Sequence, residues 1–544
     1  MKIETPVVIV GGGPVGLGLA VELGWRGAEC LLVDELERDG YRTHPRANLV
    51  NSRSMEFCRR WGIAERVKEV GTPPGYPHTA MYVTSLRGHL IARIDRPAHG
   101  GGKQIAFTPE PPQRCNQIWF DPVLRERAEG FSTVKLRYRW RLDSFTQDEK
   151  SVASRVTDVA TGESHTIRSG YLAACCGGRS PIRRILGIDQ NEDEVLGVPI
   201  SVYFRAKNLW DYHDKGKGVL HFIVGPTGVW ATLNSLNGGD LWRVTLHGGA
   251  KEHAAPEAVD HKDVLTRIVG IEFPYELVAI SPWVRRKLVT AAYRHGRVFL
   301  AGDCAHQNTP TGGYGMNTGM GDAVDLGWKL AAALEGWAGP KLLDSYDAER
   351  RPVALRNVEE ATRNFQLRSF APIPELVEAT PAGEAARRRL GDEIVKNTSR
   401  ELLSDGIAMG YRYDSSPIIC PDGSEPPLLS VTEYLQSTFP GARAPHAWLA
   451  DGRSTIDLFG KAYVMLRLGR DVPDVARFAD AARRRGAPFE VATIDEPTVG
   501  SVCEKRLVLV RPDGHVAWRG DALPADTAAV IARVTGATGA SSPA

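Results

Sequence analysis

Residues 6–34, PVVIVGGGPVGLGLAVELGWRGAECLLVD, leave a chain few alternatives. A run of Val and Ile with the look of a buried strand enters Gly11-x-Gly13-Pro14-x-Gly16. A helix with apolar Leu17, Ala20, Val21 and Leu23 follows, and a second strand ends at Asp34. The glycines allow a tight turn, room for a pyrophosphate and close packing of helix on strand. The helix start offers unpaired N–H groups and the positive end of a dipole to a diphosphate. Asp34, about twenty residues on, stands where a carboxylate accepts ribose hydroxyls, with Glu35 as the neighbouring alternative. The segment predicts a Rossmann-like α/β unit with a dinucleotide site.

A second segment, HGRVFLAGDCAHQNTPTGGYGMNTGMGDAVDLGWKLA, points to the same end of such a sheet. Val298 to Ala301 reads as a buried strand that closes on Gly302-Asp303. An Asp at the C-terminal edge of a strand can accept a hydrogen bond from a ribityl or sugar hydroxyl. Bare backbone then leads to a helix expected over about 317–334. Unpaired N–H groups at such a start suit a ring that turns negative on reduction. Gly313 and Gly315 would leave one face of that ring clear. The reading is a seat for an isoalloxazine; a glycine-rich loop capped by Asn317 is the plainer alternative.

Composition excludes several classes. A net charge of +2 over 544 residues, with no long Lys/Arg run, gives no reason to expect nucleic acid. Apolar runs such as VVIV and VFLA are strand-sized, so no membrane span is expected. The opening MKIETPVVIVGGG enters a strand at once and does not read as a cleavable signal. The eight cysteines carry no CxxC or zinc-like spacing, which suggests reduced cytoplasmic thiols and no metal site.

Two further stretches, 44–62 and 114–128, are polar segments leading into amphipathic helices. Arg46 and Gln117 stand out there, against the bland reading of a solvated Arg and a helix-start Gln. Residues 198–247 alternate short strands with turn signals such as GPTG and NGGD. An antiparallel sheet there would roof the ring. Tyr203, His221, Trp230 and His247 are its candidate chamber residues, although packing in the core or on the surface is the better reading of each.

Taken together, GGGPVG…LLVD, CCGGRSPIRRILGI (175–188) and GDCAHQNTPTGGYGMNTGMGDA resemble the class A flavoprotein aromatic hydroxylases, the para-hydroxybenzoate hydroxylase and phenol hydroxylase family. The resemblance covers roughly residues 5–365. It implies that Gly11, Gly13, Pro14, Gly16 and Asp34 hold the ADP half of FAD. Arg46 and Gln117 would touch the pyrophosphate and ribityl region, and Asp303 would bind the ribityl chain. Gly313, Gly315, Met316 and Asn317 would face the flavin, with Pro310 near its C4a carbon. The implied activity is hydroxylation of an activated aromatic (phenolic, hydroxypyridine or polyketide-like) by NAD(P)H and O₂ through a C4a-hydroperoxyflavin. NADPH is the preferred reductant.

Two departures stand out. Cys176-Gly177 replaces the Asp-Gly usual in the middle motif, and Asn48 lies where phenol hydroxylases place an acidic residue. A phenol-type carboxylate base is therefore not supported, and no other base is assigned. The alternatives are a flavin-loaded aromatic-binding protein without turnover and a flavin halogenase, although no WxWxIP segment occurs.

The expected organisation is a FAD-binding part at 1–190, with some substrate-domain strands near 76–110, and a substrate sheet at 191–285. A second FAD-binding part at 286–390 and a Pro-rich bridge at 391–445 follow. The βαβ…ββα pattern of 446–544 resembles the thioredoxin-like tail of phenol hydroxylases. Without a CxxC its role reads as structural or as a homo-oligomer contact.

Overall fold

The computed structural model describes residues 2–40, 46–95, 105–188, 194–247 and 259–537. His44 and Pro45, residues 96–104, the boundary expected at 190/191 and residues 538–544 lie outside the described residues.

The first sheet is built on five parallel strands in the order Val298–Leu300, Ser164–Ala174, Lys2–Val10, Cys30–Asp34 and Val134–Tyr138. Strands covered on both faces need continuous apolar runs. Val7, Val8, Ile9, Leu32 and Val33 supply them, all fully buried. The strands Val152–Asp158 and Trp140–Gln147 extend the sheet with antiparallel pairing. Register then does the positioning. Val10 pairs with both Val33 and Ala174, and Ala174 pairs with Leu300. The chain therefore leaves four strands at one edge, which gathers Gly11–Gly13, Asp34, Cys175–Cys176 and Gly302–Asp303.

A seven-stranded sheet stands apart, ordered Glu276–Pro282, Ile200–Arg205, Leu241–Leu246, Gly228–Ser235, Leu220–Gly225, Ala80–Val83 and Leu90–Ile94. One face carries Val202, Phe204, Ala231, Leu233, Trp242 and Val244. These pack on Leu265, Ile268 and Val269 of the helix His261–Val269. The opposite face is aromatic and polar: Tyr82, Phe222, Thr232, Thr245 and Ser201 form one cross-strand row, and Asn234, Arg243 and Tyr203 the next. That face turns to the first unit, where Tyr203 packs on Ile118 and Trp119. The helix Pro381–Leu402 runs straight through the boundary expected at 390/391. It lies so close to strand Leu90–Ile94 that a Cβ on Gly391 would stand 2.2 Å from the Ile91 carbonyl oxygen. No described helix is long and apolar enough to cross a membrane.

The third sheet pairs Tyr463–Leu468 with Phe489–Ile494 in parallel, then adds Leu507–Val510 and Val516–Gly520 antiparallel. It is welded to the first unit by buried charge. Arg511 reaches Glu349 at 2.6 and 2.9 Å and Asp513 at 2.5 Å, while Lys329 binds Asp325 at 2.7 Å and Glu349 at 2.6 Å. Three carboxylates face two cations in a fully enclosed space. Burial pushes Asp325 up to about 8 despite Lys329 beside it. Burial opposes ionisation of Glu349 as well, but Arg511 and Lys329 hold it down to about 2. A protonated Asp325 leaves two anions against two cations, which is how the cluster balances near neutrality.

A carboxyl group raised above its unfolded value contributes most at low pH and loses that contribution as pH rises through its folded value. Denaturant midpoints of the protein should therefore fall from about pH 4 to about pH 8 and level off above that, and Asp325→Asn should flatten the slope. Parallel pH profiles for the two proteins would contradict this charge balance.

Candidate active site

The glycine turn after Val10 is set by contact. Gly11 has φ 112° and donates its N–H to Val33 O at 2.9 Å. A Cβ on Gly11 would stand 2.3 Å from Cys175 O, and one on Gly16 would stand 1.9 Å from Gly11 O. Gly13 is different, because a Cβ there would meet nothing within 4 Å. It is the N-cap of the helix Pro14–Arg26, no side chain caps it, and Pro14 fills the first turn. The helix thus presents free amides to open space. Asp34 is buried beside it, accepting from the Gly12 N–H and, at 2.7 Å, from the Leu36 N–H. Glu35 is exposed.

At the same edge Gly302, φ 61°, turns the chain into Asp303. The Asp303 side chain is exposed to the cleft yet ringed by protein. That surrounding raises its pKa, with His306 and Arg46 pulling the other way. Its neighbour in sequence pattern, Asp322, has another job. It is fully buried and accepts from Gly302 N–H (3.0 Å), His306 Nε2 (2.8 Å) and Arg350 Nε (2.9 Å). Burial would raise its pKa, but His306 and Arg350 outweigh burial and keep it below the usual carboxylate range.

The long helix expected at about 317 starts three residues earlier and spans Tyr314–Leu334. Its N-cap is Gly313, φ 71°, without a side-chain cap; Gly312 also has positive φ, 79°. Pro310 is exposed just before this turn. Gly315 lies against Asn308 Oδ1, and Met316 packs on the core of the first unit. The Asn317 side chain is engaged: its Nδ2 donates to Leu49 O and Gly313 O, and its Oδ1 accepts from Asn51 N–H and Ser54 Oγ. Asn317 therefore cannot cap the helix in the plain sense, and any contact it offers a ring comes from backbone.

Arg46 is exposed, with its carbonyl held by Arg243 Nη1 at 2.7 Å. Its charge acts on both Asp303 and Asp121. Gln117 donates Nε2–H to Asp121 Oδ2 at 3.0 Å, four residues along the same helix. Burial pushes Asp121 up to about 7, against Gln117, Arg125 and Arg46. Helical spacing from Gln117 could have flagged it. Asn48 is buried with neither Oδ1 nor Nδ2 in a hydrogen bond.

Of the chamber candidates, Tyr203 lies in a row of the face turned to the first unit. His221 is a correction: it pairs with Met81 and Leu233 on the apolar face, its ring tilted against Trp210 at 5.2 Å. Burial pushes it down to about 3. Trp230 is a second correction, lying under the Arg267 guanidinium of the covering helix at 4.8 Å. Strand alternation was readable in both cases, but not which face is the roof. His247 accepts at Nδ1 from Arg285 Nη2 at 3.0 Å, and its buried Nε2 has no partner.

Arg285 went unnoticed in sequence because its environment is assembled from distant segments. It is 2% exposed, lies 4.2 Å over Phe365, faces no carboxylate among the described residues, and keeps a buried Nε without a partner. Burial and the charge of Arg368 lower it to about 10. Arg368 itself pairs with Glu401 at 2.6 Å, and Gly312 N–H donates to the same Glu401 oxygen at 3.3 Å. This corner is strongly cationic, which holds His247 well below its ordinary pKa, burial acting first and the arginines next.

Comparison with known proteins shows what the chain is similar to. Residues 4–361 match the family model "FAD binding domain", and 437–538 match "Aromatic-ring hydroxylase, C-terminal". The tetracenomycin B2 monooxygenase-dioxygenase of Streptomyces olivaceus is 32% identical over 97% of this chain and 98% of its own. The 4-methyl-5-nitrocatechol 5-monooxygenase of a Burkholderia species is 33% identical over 97% and 96%. Among solved structures, RebC soaked with chromopyrrolic acid and holding 7-carboxy-K252c superposes with a TM-score of 0.92. It is 38% identical, over 99% of this chain and 100% of that one.

Asp303 and Asp322 should separate in experiment. Asp303→Ala should leave the apoprotein's stability nearly unchanged but weaken FAD binding roughly 10- to 100-fold, the worth of a charge-assisted hydrogen bond. Asp322→Ala strips buried Arg350 of its anion and removes the acceptor of the Gly302 amide, and should cost about 3–5 kcal/mol of stability. Flavin fluorescence titration and thermal melts read the two effects; an unchanged FAD dissociation constant in Asp303→Ala would contradict the placement.

Proposed function

This chain belongs to the FAD-dependent aromatic-ring monooxygenases, and from that premise we propose that it hydroxylates a large fused-ring aromatic bearing an acidic group, with NADPH as reductant. Arg285 carries the proposal. A buried cation without a counter-charge is costly. A substrate anion seated at Arg285 and the free Nε2 of His247 supplies what the protein leaves out. The relatives favour size and acidity: one is named for tetracenomycin B2, and the molecule held by RebC is a 7-carboxy compound.

The residues fit FAD. Two helix starts, at Gly13 and Gly313, lack side-chain caps; Gly13 is open on one side; Asn48 keeps an unpartnered buried amide. When bound, FAD supplies electron transfer from the nicotinamide and activation of oxygen. The chain's own contribution is positioning and electrostatics. The Gly11–Gly16 turn and the start of helix Pro14–Arg26 would hold the diphosphate, Asp34 the ribose and Asp303 the ribityl hydroxyls. Backbone amides near Met316 and Asn317 would meet negative charge on the ring.

Tyr203, on the face turned to the first unit, would meet an aromatic substrate, whereas the stacked pair Tyr82–Phe222 is packed against Leu390 and Ile394 of helix Pro381–Leu402. The seven-stranded sheet that carries Tyr203 would exclude water from the reacting centre. Asn48 carries no titratable proton, so a carboxylate base at that position plays no part.

The test is NADPH and NADH consumption over a panel of fused-ring acids and their neutral esters, with product analysed for one added oxygen. Acids should be turned over with the lower KM, and NADPH should outperform NADH. Arg285→Met should raise KM for acids roughly 10- to 100-fold. It should leave KM for the esters unchanged and should not lower thermal stability, since it removes an uncompensated charge. An equal rise in KM for acids and esters would overturn the substrate assignment.

A further inference from the structure

We propose that Cys176 and Cys304 form an oxidant-modification site: hydrogen peroxide converts the two thiols into a disulfide at the wall of the cofactor cleft. The two sulfurs lie 3.6 Å apart although 128 positions separate them in sequence. Closing to a bond length of about 2.05 Å takes a shift of roughly 1.5 Å. Each thiol is held in place. Cys176 Sγ is hydrogen-bonded to Ser180 Oγ at 3.2 Å, and Cys304 Sγ donates to Gly177 O at 3.4 Å. Arg183 secures the same turn, donating to Cys304 O and Gly178 O at 3.0 Å each.

Access and reactivity divide between the partners. Cys176 is part-exposed, and Cys304 is buried behind it. Hydrogen bonding from Cys304 lowers the Cys176 pKa against burial, whereas burial raises that of Cys304. The lower-pKa, accessible thiol is the one that attacks peroxide. Neighbouring Cys175 is buried against Gly16, and burial raises its pKa.

The chemistry balances. The Cys176 thiolate attacks one peroxide oxygen and breaks the O–O bond, giving a sulfenic acid and hydroxide, which takes a proton to become water. Cys304 then loses its proton and attacks the Cys176 sulfur; the S–O bond breaks and a second water leaves. Two thiols lose two electrons and one peroxide becomes two waters. A flavin monooxygenase is itself a source of peroxide whenever activated oxygen is not passed to substrate. The bond would tie the turn after Ala174 to the turn that carries Asp303.

The test is independent of which substrate the enzyme takes. The holoenzyme is treated with a modest excess of hydrogen peroxide and its thiols are counted after denaturation. The count should fall from eight to six, peptide mapping should find Cys176 linked to Cys304, and dithiothreitol should restore eight. Cys176→Ser and Cys304→Ser should each abolish the cross-link; Cys304→Ala replaces the latter if the serine protein does not fold. Retention of eight thiols, a cross-link through Cys175, or a dimedone-trapped sulfenic acid on Cys176 that persists with Cys304 present would overturn the proposal.

Discussion

Much of this molecule hangs on one carboxylate. Asp322 sits inside helix Tyr314–Leu334 and holds three donors at once: the amide of Gly302, the ring of His306 and the guanidinium of Arg350. Arg350 continues outward to Thr318 O and Tyr413 Oη. One buried anion therefore fixes the turn that carries Asp303, the helix that carries the glycine-rich start, and a segment that leads to the third sheet. Removing Asp322 or Arg350 would leave a charge in the interior without its counter-ion, a far larger cost than the gain from any single surface pair.

The same logic joins the third sheet to the rest. Glu56 takes Arg443 and Arg53, and Arg53 also donates to Asp513 O at 2.8 Å. With the Arg511 cluster this gives two ionic welds and no redox motif, which suits a structural body. Buried ion networks bring specificity of docking more than raw stability. Here they hold the two units in one orientation, and the flavin-side helices are their anchor points.

How far the sequence could be read follows from distance along the chain. The Gly11–Gly16 turn, Asp34 and the Asp303 turn are local patterns with local reasons, so motif and neighbours together announce them. Face assignment in the seven-stranded sheet was another matter. His221 alternates correctly within its strand, but only pairing with Met81 and Leu233 shows that its face is the covered one. Ala80–Val83 and Leu90–Ile94 sit far from the other five strands in sequence, and helix Pro381–Leu402 crosses a composition break that marks no structural boundary. Arg285, Arg368 and Glu401 converge from three segments, and no spacing rule connects them. Cys176 was visible as a departure from a motif, whereas its contact with Cys304 exists only in three dimensions.

The two ends of the cleft handle negative charge in different ways, and the difference is physically reasonable. At the end proposed for the dinucleotide the donors would be backbone amides and helix dipoles, with Asp34 and Asp303 to take hydroxyls. Such donors are fixed by the fold and need no reorganisation to meet a resident ligand. At the proposed chamber end the donors would be side chains: Glu401 is engaged by Arg368, and Arg285 has no carboxylate partner among the described residues. An internal carboxylate there would satisfy the guanidinium permanently and compete with any anion that arrives. Leaving the charge unpaired raises the energy of the empty chamber and so widens the difference between its free and filled states. That difference is what a transient ligand can draw on for selectivity.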